Sequence, residues 1–220
     1  MQWPTDRESA KRLQKELSTR VRIEPLKKNL RYIAGADASY CNDRIIGVVS
    51  LFSYQDMELI EEVWSIDKIR FPYIPGLLSF REGPVILKTL KKLSIKPDLI
   101  LFDGQGICHP EGLGIASHMG VITETPTIGC AKSLLTGTYK EPGLKRGDWS
   151  YIYINEVIKG IALRTRDRTR PVFVSPGHLI DFKDSLKIVL NCCKIYRIPE
   201  PLRRADMSSR IIKKNLSTNG

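Results

Sequence analysis

Two aspartates lie in predicted strands at positions where a carboxylate is costly. Asp37 lies within AGADASY, where residues of both strand faces are mostly apolar or small, so that this strand looks central in a sheet. Asp103 follows the apolar run LILF and precedes Gly104, at the carboxyl end of a second strand, where open α/β sheets usually hold ligands. A carboxylate in such surroundings is destabilising unless it is paired or binds a metal ion.

Two further acids are candidates for the same site, and each has a simpler interpretation. A lone aspartate often just caps a strand, but Asp37 and Asp103 on neighbouring strands would repel each other unless a cation lay between them. Glu82 follows a proline-rich turn. It is a possible third ligand, and the alternative is a carboxylate in the first turn of a helix that interacts favourably with the helix dipole. Asp206 is an acid in a basic tail, where a solvated helix position is the alternative. Oxygen ligands alone indicate Mg²⁺ or Mn²⁺ rather than zinc.

A carboxylate-bound divalent ion suggests phosphodiester hydrolysis. Such an ion lowers the pKa of a bound water and stabilises the negative charge on the departing oxygen. The net charge of +11 would attract a polyanion such as nucleic acid. The alternative is that these basic side chains form a solvated surface with no partner. The five cysteines include no CxxC pair, which predicts neither a zinc site nor a disulfide framework.

The segments that carry these residues alternate between helical and strand patterns. The patterns predict a helix over 6–20, strands over 31–40, 44–54 and 57–66, a helix in which Pro84 occupies the first turn, a strand within 96–106, a helix over 112–122, a strand over 126–131, further strands over 150–165 and 171–174, and a helix over 182–196. We therefore expect a single α/β domain over 1–220. An antiparallel meander would lead into parallel strands flanked by helices, which is the order of the ribonuclease H-like fold.

Composition places the chain among globular proteins. Hydrophobic residues make up 42% and charged residues 27% of the sequence. No apolar run approaches the roughly 18 residues of a membrane span, and the first residues lack the apolar stretch of a signal peptide. We therefore expect a cytoplasmic, monomeric protein with no membrane partner.

Five long sequence blocks carry a resemblance to a known family. FPYIPGLLSFREGP (71–84), DGQGICHPEGLGIASHMG (103–120), IGCAKSLL (128–135), FVSPGHLIDF (173–182) and RIPEP (197–201) are similar in order and spacing to the blocks of endonuclease V. The resemblance implies a ribonuclease H-like fold and, with Mg²⁺ or Mn²⁺, hydrolysis of the second phosphodiester bond on the 3′ side of deoxyinosine in DNA. The products would carry 3′-hydroxyl and 5′-phosphate ends.

The same resemblance assigns roles to individual residues. Asp37 and Asp103 would be the principal metal ligands, Glu82 would complete the acidic site, and Asp206 would support it at a position where the family has Asp or His. Lys132 and His109 match family positions next to the cleaved backbone.

Lys132 would contact a phosphate as a point charge. His109 would position water or phosphate, unless it is a hydrogen-bonded loop histidine.

Base recognition is also implied by the family blocks. The segment resembling the strand-separating wedge consists of Pro72, Tyr73, Ile74 and Pro75, although core packing is the simpler interpretation of such an aromatic loop. The lesion base would leave the duplex and enter a pocket formed by Leu78, Gly104, Gly106, Ile115, Gly129 and Leu135.

Two other functions remain open on the sequence. Some members of the family prefer inosine in RNA, and an inosine-specific endoribonuclease would use the same fold and metal chemistry. A non-catalytic lesion-binding protein would be expected to lack the acids, yet Asp37, Glu82 and Asp103 are all present.

Overall fold

The structure is a computed structural model that describes residues 3–218. In chain order its elements are α1 (Arg7–Ser18), β1 (Tyr32–Cys41), β2 (Arg44–Ser53), β3 (Leu59–Lys68), α2 (Leu78–Leu90), β4 (Leu99–Phe102), α3 (Ile115–Thr123), β5 (Thr127–Ala131), β6 (Thr138–Tyr139), β7 (Trp149–Ile154), β8 (Val157–Leu163), β9 (Val172–His178), α4 (Phe182–Cys192) and α5 (Glu200–Thr218). Within this part of the chain, the strands form one sheet in the order β3-β2-β1-β4-β5-β9-β8-β7-β6.

The sheet is mixed, as the sequence predicts. The first three strands form an antiparallel meander. The strand β4 then pairs in parallel with β1, and β5 pairs in parallel with β4. The remaining strands are antiparallel, beginning with the pairing of β5 with β9. The predicted combination of a meander, parallel crossovers and flanking helices is therefore confirmed.

The central strand β4 is buried on both faces of the sheet. Leu99 and Leu101 pack into the core beneath α4, whereas Ile100 and Phe102 pack against side chains of α2 and α3. All four residues are almost inaccessible to solvent. Burial of each such side chain is worth about 1.5–3 kcal/mol, so the four-residue strand is held firmly at the centre. The residue that follows it, Asp103, is therefore held at a fixed position.

The last helix, α5, is the main element that the sequence patterns did not predict. It packs on β1 and β2 and buries Leu202 and Ala205. A Cβ atom on Gly35 of β1 would lie 2.2 Å from the carbonyl carbon of Pro201, so only glycine allows this approach of helix to strand. The apolar residues of this helix lie among many charged residues, so the sequence shows no clear helical periodicity here.

Smaller differences occur elsewhere. The predicted strand segment 150–165 is a hairpin, with Asn155 and Glu156 in the left-handed conformation between β7 and β8. The short strand β6 at the sheet edge was not predicted, and α4 ends at Cys192 rather than at residue 196. Among residues 3–218, no helix has the length and apolar character needed to cross a membrane.

Candidate active site

Asp37 and Asp103 lie side by side because their strands pair in parallel. Ala36 of β1 is the partner of Phe102 of β4, and the Asp103 amide lies 3.5 Å from the Ala36 carbonyl oxygen. Asp37 is the next residue of β1, and Asp103 directly follows the last residue of β4. The alternative of two unrelated strand caps is therefore excluded, and the two aspartates are neighbours at the carboxyl end of β4.

Glu82 approaches the same region from α2. Its Oε1 accepts a hydrogen bond of 2.8 Å from the Tyr40 hydroxyl, and the residue is buried. The helix begins at Leu78, so Glu82 belongs to its second turn and Pro84 lies inside it. The prediction that Pro84 occupies the first turn is therefore wrong, because helical conformation already starts before the proline. The dipole interpretation of Glu82 loses its basis.

Burial and mutual repulsion both act on these carboxyl groups. Burial raises the pKa of Asp37 to about 6, and the charges of Asp103 and Asp206 add to this effect against the hydrogen bond from Ser209. Burial also raises the pKa of Glu82 to about 8, with further contributions from the charges of Asp37 and Asp103 and with opposition from the Tyr40 hydrogen bond. The site therefore favours added positive charge.

Lys132 supplies part of that charge. It follows β5, and its Nζ lies 2.5 Å from Asp103 Oδ2 and 3.9 Å from Asp206 Oδ1. Burial alone would lower the pKa of the Lys132 ammonium, but the hydrogen bond and charge of Asp103 outweigh it and raise the pKa. Arg197 donates to the Lys132 carbonyl over 3.0 Å and holds this part of the chain in place.

The helix α5 closes the site from the face opposite α2. Ser209 donates to Asp37 Oδ2 over 2.8 Å, and Asp206 forms an ion pair with Arg210. Asp206 therefore lies beside the acids rather than on a purely solvated face. Ser209 was missed by sequence reasoning, because a serine in a basic tail gives no signal until its helix is placed.

The acids fit a hard divalent cation by their chemistry. In residues 3–218, no three His, Cys, Asp or Glu side chains are arranged closely enough to form a ready-made metal cluster. The donor set nevertheless consists of carboxylate oxygens, the type of ligand that Mg²⁺ and Mn²⁺ prefer. The raised pKa values of Asp37 and Glu82 mark the negative charge that a cation would neutralise.

A cavity of about 420 Å³ adjoins the acids. Its lining includes three of the predicted catalytic residues, Asp103, His109 and Lys132. It also includes most of the predicted wedge and pocket residues, namely Tyr73, Ile74, Pro75, Leu78, Gly104, Ile115 and Leu135. Gly106 and Gly129 do not line it. A Cβ on Gly129 would lie 2.4 Å from the Gly106 amide nitrogen, so these two glycines allow backbone to pack on backbone behind the cavity wall.

The wedge segment presents its aromatic side chain to solvent. Tyr73 is 70% exposed, which excludes core packing as the explanation of this side chain. Ile74 is partly buried against Phe71, Leu77 and Phe80, and the Leu77 amide donates to the Ile74 carbonyl over 3.0 Å. The segment is therefore a turn in which Ile74 is packed against the protein and Tyr73 is exposed at the tip.

His109 is a buried loop residue at the margin of the cavity. Its Nδ1 accepts a hydrogen bond of 3.2 Å from the Glu111 amide. Burial lowers the pKa of the imidazole, against the opposing effects of the Glu111 charge and a hydrogen bond to the Gly76 backbone. These contacts agree with the loop interpretation, and a role for His109 at the phosphate stays a prediction.

A mixed sheet of this order, with Asp37 within β1 and Asp103 directly after the adjacent strand β4, next to a cavity, is the arrangement of a nuclease of the ribonuclease H-like fold. A family model described as Endonuclease V matches residues 15–207. Endonuclease V from Dictyoglomus thermophilum is 51% identical over 203 residues, which cover 92% of this chain and 89% of that protein. The chain belongs to the Endonuclease V family and is a nuclease.

Solved structures of the family have the same architecture. Endonuclease V from Streptomyces avermitilis matches with a TM-score of 0.94 at 36% identity, covering 98% of this chain and 96% of that one. Endonuclease V from Ciona intestinalis was crystallised with a 24mer DNA containing an inosine followed by a ribo-adenosine. It matches with a TM-score of 0.84 at 28% identity, covering 95% and 98% of the two chains.

Proposed function

We propose that this protein is a metal-dependent DNA repair endonuclease that hydrolyses the second phosphodiester bond on the 3′ side of deoxyinosine. The observation that carries the proposal is that the acids adjoin the cavity, since Asp103 and its ion-pair partner Lys132 both line it. A nuclease site that adjoins a cavity suits an enzyme that holds a damaged base while it cuts nearby. The inosine-containing DNA bound by the Ciona intestinalis relative supports this substrate.

Asp37, Asp103 and Glu82 would hold the cation, Mg²⁺ or Mn²⁺, with Asp206 in support. Endonuclease V nucleases are generally metal-dependent. When bound, such a cation lowers the pKa of water and stabilises negative charge on the phosphodiester oxygens. The Ser209 and Tyr40 hydroxyls would fix the orientation of the Asp37 and Glu82 carboxylates through the hydrogen bonds described above.

Lys132 would bind the phosphate of the scissile strand. Its ammonium is already held at the acids by Asp103 and lines the cavity, so it can reach a backbone oxygen near the lesion. The lysine acts as a point charge without the planar geometry of arginine. His109 would act at the same margin of the cavity.

The wedge would compensate for the stacking that is lost when the lesion base leaves the duplex. Tyr73 is exposed at the tip of a turn that is held between Pro72 and Pro75, the geometry needed to enter a base stack. Hypoxanthine carries a carbonyl at position 6 and an N1–H, where adenine has an amine and a bare nitrogen. Backbone groups near Gly104 and Ile115 would provide the matching donor and acceptor.

The first test is the removal of single acids. Asp37→Ala and Asp103→Ala should each abolish cleavage of a duplex with one inosine in Mg²⁺ or Mn²⁺, because the cation loses a principal ligand. Binding of the same duplex should survive, since the wedge and the apolar lining of the cavity are unchanged. Product position on a labelled strand and fluorescence anisotropy would measure the two effects.

Asp56→Ala is the matched control, because it makes the same change at an exposed turn between β2 and β3. It should retain full cleavage. Cleavage by either site variant at the wild-type rate would refute the assignment of the metal ligands. A wild-type product cut elsewhere than at the second bond would refute the proposed cleavage position.

An inosine-specific endoribonuclease is the second candidate. The DNA bound by the Ciona intestinalis protein has a ribo-adenosine after its inosine, so that relative accepts a 2′-hydroxyl next to the lesion. Matched oligonucleotides with deoxyadenosine or riboadenosine after a single inosine would decide between the two. Faster cleavage of the ribose-containing strand by at least about tenfold, equivalent to about 1.4 kcal/mol, would favour RNA.

A further inference from the structure

One side chain of the N-terminal helix connects two loops that line the cavity. Gln14 of α1 is 2% exposed. Its Nε2 lies 2.8 Å from the Gly76 carbonyl oxygen and 3.3 Å from the Leu113 carbonyl oxygen. An amide NH₂ group has two hydrogens, so one side chain can donate to both carbonyls at once.

The two acceptors belong to different segments of the cavity lining. Gly76 ends the wedge turn, and Leu113 precedes the loop that leads through Gly114 into Ile115 at the start of α3. Both residues line the cavity of about 420 Å³. The distance between the wedge turn and the segment before α3 is therefore restrained by two hydrogen bonds from one amide group.

The hydrogen bonds are not needed to attach α1 to the protein. Ala10 and Leu13 pack against Phe80 and its neighbours, and Leu17 packs against Leu113 and Val121. These apolar contacts hold the helix whether or not the amide is present. The Gln14 amide adds two directional hydrogen bonds, and these act only on the two loops that accept them.

We propose that Gln14 is a positioning residue for lesion recognition, which sets the distance between the wedge turn and the α3 side of the base cavity. This inference rests on the proposed function. A base that enters the cavity needs both walls at van der Waals distance, so an error in their separation reduces selective binding. Duplex without a lesion does not enter the cavity and is unaffected.

The test compares the affinities for two duplexes. Gln14→Met keeps a side chain of similar length and removes both donors. We expect the affinity ratio of inosine-containing over unmodified duplex to fall about tenfold, the scale of one lost buried hydrogen bond. The affinity for unmodified duplex should stay within about twofold. Anisotropy without divalent cations, where no cleavage is expected, measures both.

Thr89→Val is the matched control. Thr89 is fully buried in α2 and donates to the Val85 carbonyl over 2.7 Å, and it does not line the cavity. Its substitution should lower the melting temperature and leave the affinity ratio unchanged. An unchanged ratio in Gln14→Met would overturn the inference, as would an equal fall of the ratio in Thr89→Val. Wild-type protein without inosine preference would instead overturn the proposed function.

Discussion

When no cation is bound, the carboxyl groups of the candidate site repel one another, and the packing of the fold keeps them in place. Glu82 carries the larger effect, since burial raises its pKa to about 8 from an ordinary value of 4.5. Near neutral pH, its folded form therefore holds a proton that the unfolded chain releases. Linkage then requires that stability falls as pH rises toward the folded pKa.

We predict that the metal-free protein loses stability between about pH 6.5 and about pH 8, with Glu82 as the main cause. Burial lowers the pKa of His118 to about 3, from a value of 6.5 in the unfolded chain. His118 therefore makes stability rise with pH up to about pH 6.5, which masks the effect of Glu82 below this window. Urea unfolding at a series of pH values in EDTA would measure the slope.

Glu82→Gln should remove most of this slope, because the amide does not titrate. Glu58→Gln makes the same change at an exposed residue of the β2–β3 connection and should leave the slope intact. Addition of Mg²⁺ should stabilise the wild type more at pH 8 than at pH 6.5. A free energy of unfolding that rises across the window would contradict the account of Glu82.

At the scale of elements, α5 decides whether the site is complete. Glu62 of β3 accepts hydrogen bonds from Arg204 and Ser208 of α5 and from Ser50 of β2. Burial alone would raise the pKa of the Glu62 carboxyl, but these hydrogen bonds outweigh burial and lower it. This network fixes the helix that carries both Asp206 and Ser209.

Glu62→Ala should lower the free energy of unfolding by about 1–2 kcal/mol, since it leaves Ser50 without its partner while Arg204 remains partly solvated. Cleavage of inosine-containing duplex should fall as well, because Asp206 and Ser209 lose their fixed position. Urea unfolding and a cleavage assay would measure the two losses.

Lys27→Ala is a suitable comparison for this variant. It removes an ion pair with Glu24 in which the lysine side chain is 75% exposed, and such pairs contribute less than about 0.5 kcal/mol. Equal stability of the two variants would show that the Glu62 network does not hold α5.

At the scale of the whole molecule, charge and recognition are separate contributions to binding. The chain has 35 Lys and Arg against 24 Asp and Glu, a net charge of +11. Contacts of basic side chains with phosphates release counterions and act on every sequence alike. Under the proposed function, selection of a base depends instead on the cavity, which is lined largely by apolar side chains and loop backbone.

We therefore predict that affinity for unmodified duplex falls log-linearly with salt, with a slope of about −0.9 for each phosphate contacted. The ratio of affinities for inosine-containing and unmodified duplex should change little over the same range, because both complexes share the phosphate contacts. Anisotropy titrations at several salt concentrations test both statements. A preference for inosine that disappears in parallel with affinity would show that the preference is itself electrostatic.

Local pattern was enough to predict much of the fold and the principal acids. The alternation around Asp37 and the apolar run before Asp103 are properties of consecutive residues, and the parallel pairing of their strands follows from the order of elements. Glu82 was a further candidate from its position after the proline-rich turn, and the family blocks added Lys132 and the wedge segment. The structure brings Glu82 and Lys132 to the acids and the wedge segment to the cavity.

Only the tertiary structure placed the supporting residues. Ser209 contacts Asp37, Arg204 contacts Glu62 and Gln14 contacts Leu113 across long stretches of chain, and no periodicity relates residues so far apart. The same holds for Gly106 and Gly129, which pack behind the cavity rather than in its lining. Sequence determines which residues repeat on one face of an element. The packing of one element on another determines which polar atoms meet, because a hydrogen bond depends on distances that only the folded chain sets.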